Sequence, residues 1–210
     1  MRRGDDPLRW PFWLLLGAGL LAGAFYLDAP MQSWVMRHPS PGLTHFMERV
    51  SWWGDWPPHI IAALVGAVIA YACGSRRWIM ICAAIVIACA LAGGVNRVVK
   101  IVSGRSRPTV TQDVGWNGPR LASKYNSFPS GHTAATCAVF GTLIFARRRV
   151  GLILLPIPIL IAMSRIYLSA HHFSDVIGGA LIGLLCALVT WRFISRNMLD
   201  TRSRVGRLAQ

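Results

Sequence analysis

Ser164–Asp175 reads S-R-I-Y-L-S-A-H-H-F-S-D and joins two apolar segments, Val150–Leu168 and Asp175–Ile194. A transmembrane helix needs roughly 20 mostly apolar residues, and both segments approach that length. An arginine, two histidines and an aspartate at such a junction are costly. Ionisable residues in or beside a bilayer therefore point to function before they point to packing.

Outward from this island, apolar blocks recur along the whole chain. Hydrophobic residues make up 54% of the 210 and charged ones only 14%, against about a quarter in a soluble domain. The blocks predict six spans, at 10–27, 59–73, 78–99, 132–146, 150–168 and 175–194. The expected fold is all-α, a polytopic bundle of six transmembrane helices forming one membrane domain over 1–210. The second and fourth blocks are short and must tilt or extend into polar flanks. Pro156 and Pro158 are expected to kink the fifth. The stretch 28–58 reads as a Trp-rich interfacial connection, with short helices at Met31–Met36 and Leu43–Trp53.

Six spans put both termini on one side. That side collects Arg2, Arg3, Arg9, Arg76, Arg77, Arg147 to Arg149, and Arg192, Arg196, Arg202, Arg204 and Arg207, thirteen of the 22 Lys+Arg. By the positive-inside rule the termini are cytoplasmic and the longer loops face outward, to the periplasm if the membrane is a bacterial inner membrane. The net charge of +14 lies between apolar blocks. It suits orientation and contact with anionic lipid, and no basic reading helix argues for nucleic acid. The five cysteines all fall in apolar blocks without CxxC or Cys/His spacing. They read as small buried hydrophobes, not as disulfides or metal ligands.

The less basic side nevertheless carries the polar chemistry, in three segments. Lys100-I-V-S-G-R-S-Arg107-Pro108 ends the third span, Pro129-Ser130-Gly131-His132 opens the fourth, and Ser164–Asp175 joins the fifth to the sixth. Lys100, Arg107 and Arg165 are three cations facing few acids; Asp113 is the single acid between Lys100 and His171. They suit a dianion such as phosphate, Arg as a fork and Lys as a point charge. Ser130 and Gly131 at a helix start add backbone N–H groups and the positive end of the helix dipole. Asp175, four residues after His171, can hold one imidazole nitrogen and leave the other as a nucleophile. His132 is the second imidazole, placed to protonate a leaving oxygen and then activate water.

Taken together, K-x6-R-P, P-S-G-H and S-R-x5-H-x3-D resemble the three-part signature of the type 2 phosphatidic acid phosphatase superfamily, which includes the vanadium haloperoxidases. The resemblance implies a lipid phosphatase that works without a metal or other cofactor. It implies that His171 attacks phosphorus and forms a phosphohistidine, that Asp175 orients it, and that His132 is the general acid. Lys100, Arg107, Ser130, Gly131 and Arg165 would bind the phosphoryl oxygens. The implied substrate is a lipid phosphate or diphosphate: an isoprenyl diphosphate, phosphatidylglycerol phosphate, phosphatidic acid or a lipid A phosphate.

Each residue also has a plainer reading. Lys100 and Arg107 alone would be snorkelling residues at a helix end. His132 alone would be a helix-start histidine, and His172 is a neighbour in the site wall. Asn96 and Arg97 are expected to support Lys100 or to pack. Within the loop 101–131, Trp116, Arg120, Lys124 and Tyr125 are candidates for headgroup contact. A lipid phosphotransferase would use the same residues. An anion or lipid transporter would instead want midplane charges and repeated broken helices, and the sequence contains no internal repeat.

Overall fold

The computed structural model describes residues 9–208; Arg2 and Arg3 of the orientation argument lie outside the described residues. Among these residues the chain is all-helical, without a strand, as eight α-helices. They are α1 (Arg9–Arg37), α2 (Pro41–Trp53), α3 (Trp56–Ala72), α4 (Arg76–Ser103), α5 (Gly131–Ala146), α6 (Arg148–Ile153), α7 (Pro156–Tyr167) and α8 (Phe173–Leu208). Four described segments are long and apolar enough to cross a membrane: Trp10–Arg37, Arg76–Ser103, Arg148–Tyr167 and Phe173–Asn197. The α2–α3 pair, bent by 52°, makes a fifth if it counts as one broken span. The side chains that would meet lipid are apolar; Leu15, Ile61, Val68 and Val98 are exposed.

Several boundaries differ from the expectation. The first helix does not end near Leu27 but runs to Arg37, through Pro30. It therefore absorbs the short helix expected at Met31–Met36 and carries Asp28 on helical backbone. The second interfacial helix does form, as α2. Ser40 starts it, its hydroxyl accepting from Leu43 N at 3.4 Å, with Pro41 at the first turn, where a missing N–H costs nothing. Asp55 starts α3 in the same way, accepting from Trp56 N at 2.9 Å. The fifth span breaks between Ile153 and Pro156, just before the first of the two prolines.

The short helix α5 is the centre of the bundle. Ten of its 16 residues are buried, from Thr133 to Ala146, chiefly against α8 and α4. At 1.5 Å per residue it is shorter than a hydrocarbon core of roughly 30 Å. Neighbouring helices cover it, so its ends need not reach the headgroups. Glycines allow the close approach of α8: a Cβ at Gly179 would lie 2.4 Å from the Ser130 carbonyl oxygen, and one at Gly183 2.3 Å from that of Ala134. Between α3, α4 and α5 lies an open apolar cavity of about 490 Å³, lined by Gly66, Trp78, Ile85 and Phe140 among others. His59 roofs it, 3.0 Å from the Thr136 hydroxyl.

Candidate active site

The C-terminal ends of α4 and α7 and the N-terminal ends of α5 and α8 bring the three sequence segments together. Lys100 lies in the last turn of α4. Gly104 then closes that helix in the left-handed region (φ 55°), its N–H on the Lys100 carbonyl at 3.1 Å. A Cβ at Gly104 would fall 1.7 Å from the Gly118 carbonyl oxygen, so only glycine allows the turn. The chain beyond is long but not loose. Arg105 forms an isolated β-bridge with Trp116, Arg107 N donates to the Lys124 carbonyl at 2.9 Å, and Ser127 N donates to that of Arg105 at 3.0 Å.

Lys100 Nζ donates to the carbonyls of Asn126 (2.7 Å) and Ser127 (3.4 Å). Gly131 sits directly beneath it; a Cβ there would be 3.9 Å from Lys100 Cε. Ser130 is fully buried as the residue before α5, and its N–H donates to the Asp175 carbonyl at 2.8 Å. That bond ties the P-S-G-H turn to the first turn of α8. Asn96, one helical turn before Lys100, is buried and donates to the Pro129 carbonyl at 3.3 Å. It braces the same turn, which resolves its role towards support.

His171 is 2% exposed and its Nδ1 lies 3.5 Å from Asp175 Oδ2, at ion-pair distance without hydrogen-bond alignment. Burial, opposed by Asp175 and reinforced by Lys100 and Arg165, pushes the imidazole down to about 3. The ring is therefore neutral at ordinary pH, with a lone pair free for attack. Asp175 is fully buried and saturated. Its Oδ1 accepts from Arg105 Nη1 at 2.5 Å, and its Oδ2 accepts from the Ser127 hydroxyl at 2.5 Å and from His172 N at 2.8 Å. His172 does more than line the wall, since its Nδ1 is also 3.3 Å from that oxygen.

Arg165 reaches across to the Ser51 hydroxyl on α2, while its Nε is buried without a partner. A buried donor left open is costly unless something accepts from it. Arg107 donates through Nε to the Ser123 carbonyl at 3.1 Å. Its charge acts on Lys100, His132 and Arg165 alike, so the three cations share one neighbourhood with both histidines. His132 packs against Gly54, where a Cβ would come within 3.3 Å of its Cδ2. The α2–α3 bend thus forms one wall of the site.

The headgroup candidates divide. Arg120 and Lys124 flank the ring of buried Tyr125, 5.2 and 4.9 Å from its centroid, and the Tyr125 hydroxyl donates to Asp113 at 2.8 Å. The Trp116 ring lies tilted against Phe25 and edge-on to Phe128, beside Arg105. These contacts build the loop itself. Sequence reasoning did not assign Arg105, Ser127, Ser51 or Asp28. Arg105 occupies a position that the K-x6-R-P spacing leaves open. Asp28 fell in a stretch read as a connection, though an acid at the end of an apolar block was a signal available to be followed.

Comparison with known proteins finds a matching family and a shared fold. A family model described as the PAP2 superfamily matches residues 81–199. Undecaprenyl-diphosphatase BcrC of Bacillus subtilis is 29% identical over 113 residues, which is 53% of this chain and 58% of that protein. The chain thus spans less than two thirds of that relative. Lipid A 1-phosphatase of Rhizobium johnstonii is 28% identical over 208 residues, covering 89% of this chain and 82% of that protein. The crystal structure of a transmembrane PAP2-type phosphatidylglycerolphosphate phosphatase from Bacillus subtilis superposes with a TM-score of 0.60. It is 22% identical and covers 92% of this chain and 98% of that one, which shows a shared fold.

Proposed function

The chain belongs to the PAP2 superfamily, and on that premise we propose that it is a membrane lipid phosphatase acting through His171. The observation that carries the mechanism is the buried, neutral His171 ring with Nδ1 3.5 Å from a fully fixed Asp175 carboxylate, beside Lys100 and Arg165. With Nδ1 turned to Asp175, Nε2 is the nitrogen left to attack.

In the first step the Nε2 lone pair forms an N–P bond as the bond from phosphorus to the leaving oxygen breaks. His132, which enters this step as the imidazolium once the phosphate charge offsets the surrounding cations, gives that oxygen its proton and becomes neutral. In the second step water attacks phosphorus and His132 takes its proton. The N–P bond breaks and inorganic phosphate leaves. Lys100, Arg107, the open Nε of Arg165 and the Ser130–Gly131 helix start stabilise the charge on the phosphoryl oxygens. Asp175 holds the ring and stabilises its cationic, phosphorylated form.

The substrate class is a lipid phosphate or diphosphate: an isoprenyl diphosphate, phosphatidylglycerol phosphate, phosphatidic acid or a lipid A phosphate. The similarity to relatives named for diphosphate and lipid A substrates supports this range. We assign part of the lipid tail to the cavity under His59, because Thr136 lies one turn below His132 on α5. We count six spans by taking α2–α3 and α6–α7 as one each and accepting the protein-covered α5. On this count 1–210 is one membrane unit with cytoplasmic termini and an outward-facing site.

The test is inorganic phosphate release from a panel of these lipids by purified protein, with His171→Ala beside it. Phosphate release by the native protein and none by the variant is expected. Activity retained in His171→Ala would refute the mechanism.

A further inference from the structure

Asp28 lies on α1, outside the residues 81–199 that the family model matches, yet it reaches the end of α8 that carries Asp175. Its Oδ1 accepts from Ser174 N at 2.8 Å, and its Oδ2 accepts from the Ser174 hydroxyl at 2.6 Å and from Arg105 Nη2 at 2.7 Å. The same guanidinium donates through Nη1 to Asp175 Oδ1 at 2.5 Å and to the Ser174 hydroxyl at 2.6 Å. Arg105 is 7% exposed and lies against the Phe25 and Trp116 rings, 5.2 and 5.0 Å from their centroids.

This is an ion chain of two carboxylates and one guanidinium, largely withdrawn from water. A planar fork fixes the carboxylates it grips in angle as well as distance. The Arg105 bond to Oδ1, together with those of the Ser127 hydroxyl and His172 N to Oδ2, fixes the Asp175 carboxylate so that Oδ2 faces His171 Nδ1. Asp28 also places negative charge on the first N–H groups of α8, which favours that helix start. Aromatic packing on the guanidinium prevents it from turning to another acceptor.

Resting on the phosphatase reading above, we propose that Asp28 and Arg105 are positioning residues for the nucleophile. Asp28 holds Arg105 and the first turn of α8, Arg105 holds Asp175, and Asp175 aims His171. Neither residue touches substrate. The first helix is then part of the catalytic machinery, not only a membrane anchor.

The experiment uses the full-length protein in detergent, with phosphate release from farnesyl diphosphate or phosphatidic acid, whichever is faster. For each variant kcat, KM and melting temperature are measured. Asp28→Asn and Arg105→Gln are expected to lower kcat about 10- to 100-fold, the size seen when the outer partner of a functional histidine is lost. KM stays unchanged. Arg105→Lys recovers part of kcat because the charge remains. The Asp28→Asn loss shrinks in the Arg105→Gln background, since one residue acts through the other.

Native kcat in both single variants overturns the proposal. So do additive losses, or losses that follow the melting temperature with Arg105→Lys no better than Arg105→Gln; these mean plain structural support. Should Arg105→Gln not fold, the near-isosteric Asp28→Asn with Arg105→Lys and their double variant makes the same comparison. Activity in His171→Ala would instead remove the phosphohistidine reading. An inactive His171→Ala beside native Asp28→Asn and Arg105→Gln defeats the positioning role alone.

Discussion

Replacing Gly179 by alanine tests whether the site depends on how closely α8 approaches α5. The added Cβ would stand 2.4 Å from the Ser130 carbonyl oxygen and 3.3 Å from Ala134 N, where ordinary contact begins near 3.4 Å. The obstacle is backbone on both sides, so no side chain can swing away. The helices must part by about 1 Å, and overpacking of this kind costs about 1–3 kcal/mol. The shift falls on Ser130, whose N–H donates to the Asp175 carbonyl at 2.8 Å. Moving it therefore moves the helix start proposed to bind phosphate relative to the proposed nucleophile, His171. A misplacement of about 1 Å in a catalytic array can lower the rate about 100-fold. Phosphate release and thermal unfolding of the purified variant measure the two effects. Gly93→Ala is the control, because a Cβ at Gly93 meets nothing within 4 Å. Alanine there should be neutral or stabilise the helix by about 0.5–1 kcal/mol. A Gly179→Ala protein with native kcat and melting temperature would show that the α5–α8 contact does not set the site.

The remaining predictions concern charge, pH and the tail. Arg165→Lys keeps the charge but loses the fork and its open Nε, so KM should rise about 10-fold or more while the protein stays folded. An unchanged KM would remove Arg165 from phosphate binding. His171 has a folded value of about 3 against 6.5 unperturbed, so the unfolded chain takes up its proton first as pH falls. Stability should hold above pH 6.5 and decline as pH falls below it. Denaturation followed against pH should show this loss, and His171→Gln should lessen it. Gly66→Leu fills the cavity beside Cys82, whose sulfur would already be 3.2 Å from a Cβ. It should raise KM for long-chain substrates and leave a short-chain phosphate unaffected; equal effects on both would place the tail elsewhere.

The chemistry of the site was legible in the sequence because it is carried by residue type and short spacing. Lys100, Arg107, Pro129–His132 and Arg165 to Asp175 each lie within one helix end or turn, and such local geometry follows from sequence separation. The helices were legible from apolar block length, apart from their ends, but only four described segments, or five with the bent α2–α3 pair, are long and apolar enough to span where six were expected. Helix α1 outruns its apolar block to Arg37 because a polar residue such as Asp28 does not interrupt backbone helical hydrogen bonding. That aspartate is the link the sequence could not supply. Its partner Arg105 is 77 residues away and Asp175 a further 70.

The sequence by itself determined which groups are the candidates for chemistry and that they belong to a membrane-spanning helical chain, since hydropathy and spacing are one-dimensional properties. Only the tertiary structure decided what holds Asp175, which backbone contacts exclude a side chain at Gly104 and Gly179, and that α1 is tied to the nucleophile segment. Those depend on distances between segments remote in the chain, fixed by close helix packing and by a buried guanidinium that must find its carboxylates wherever the fold delivers them.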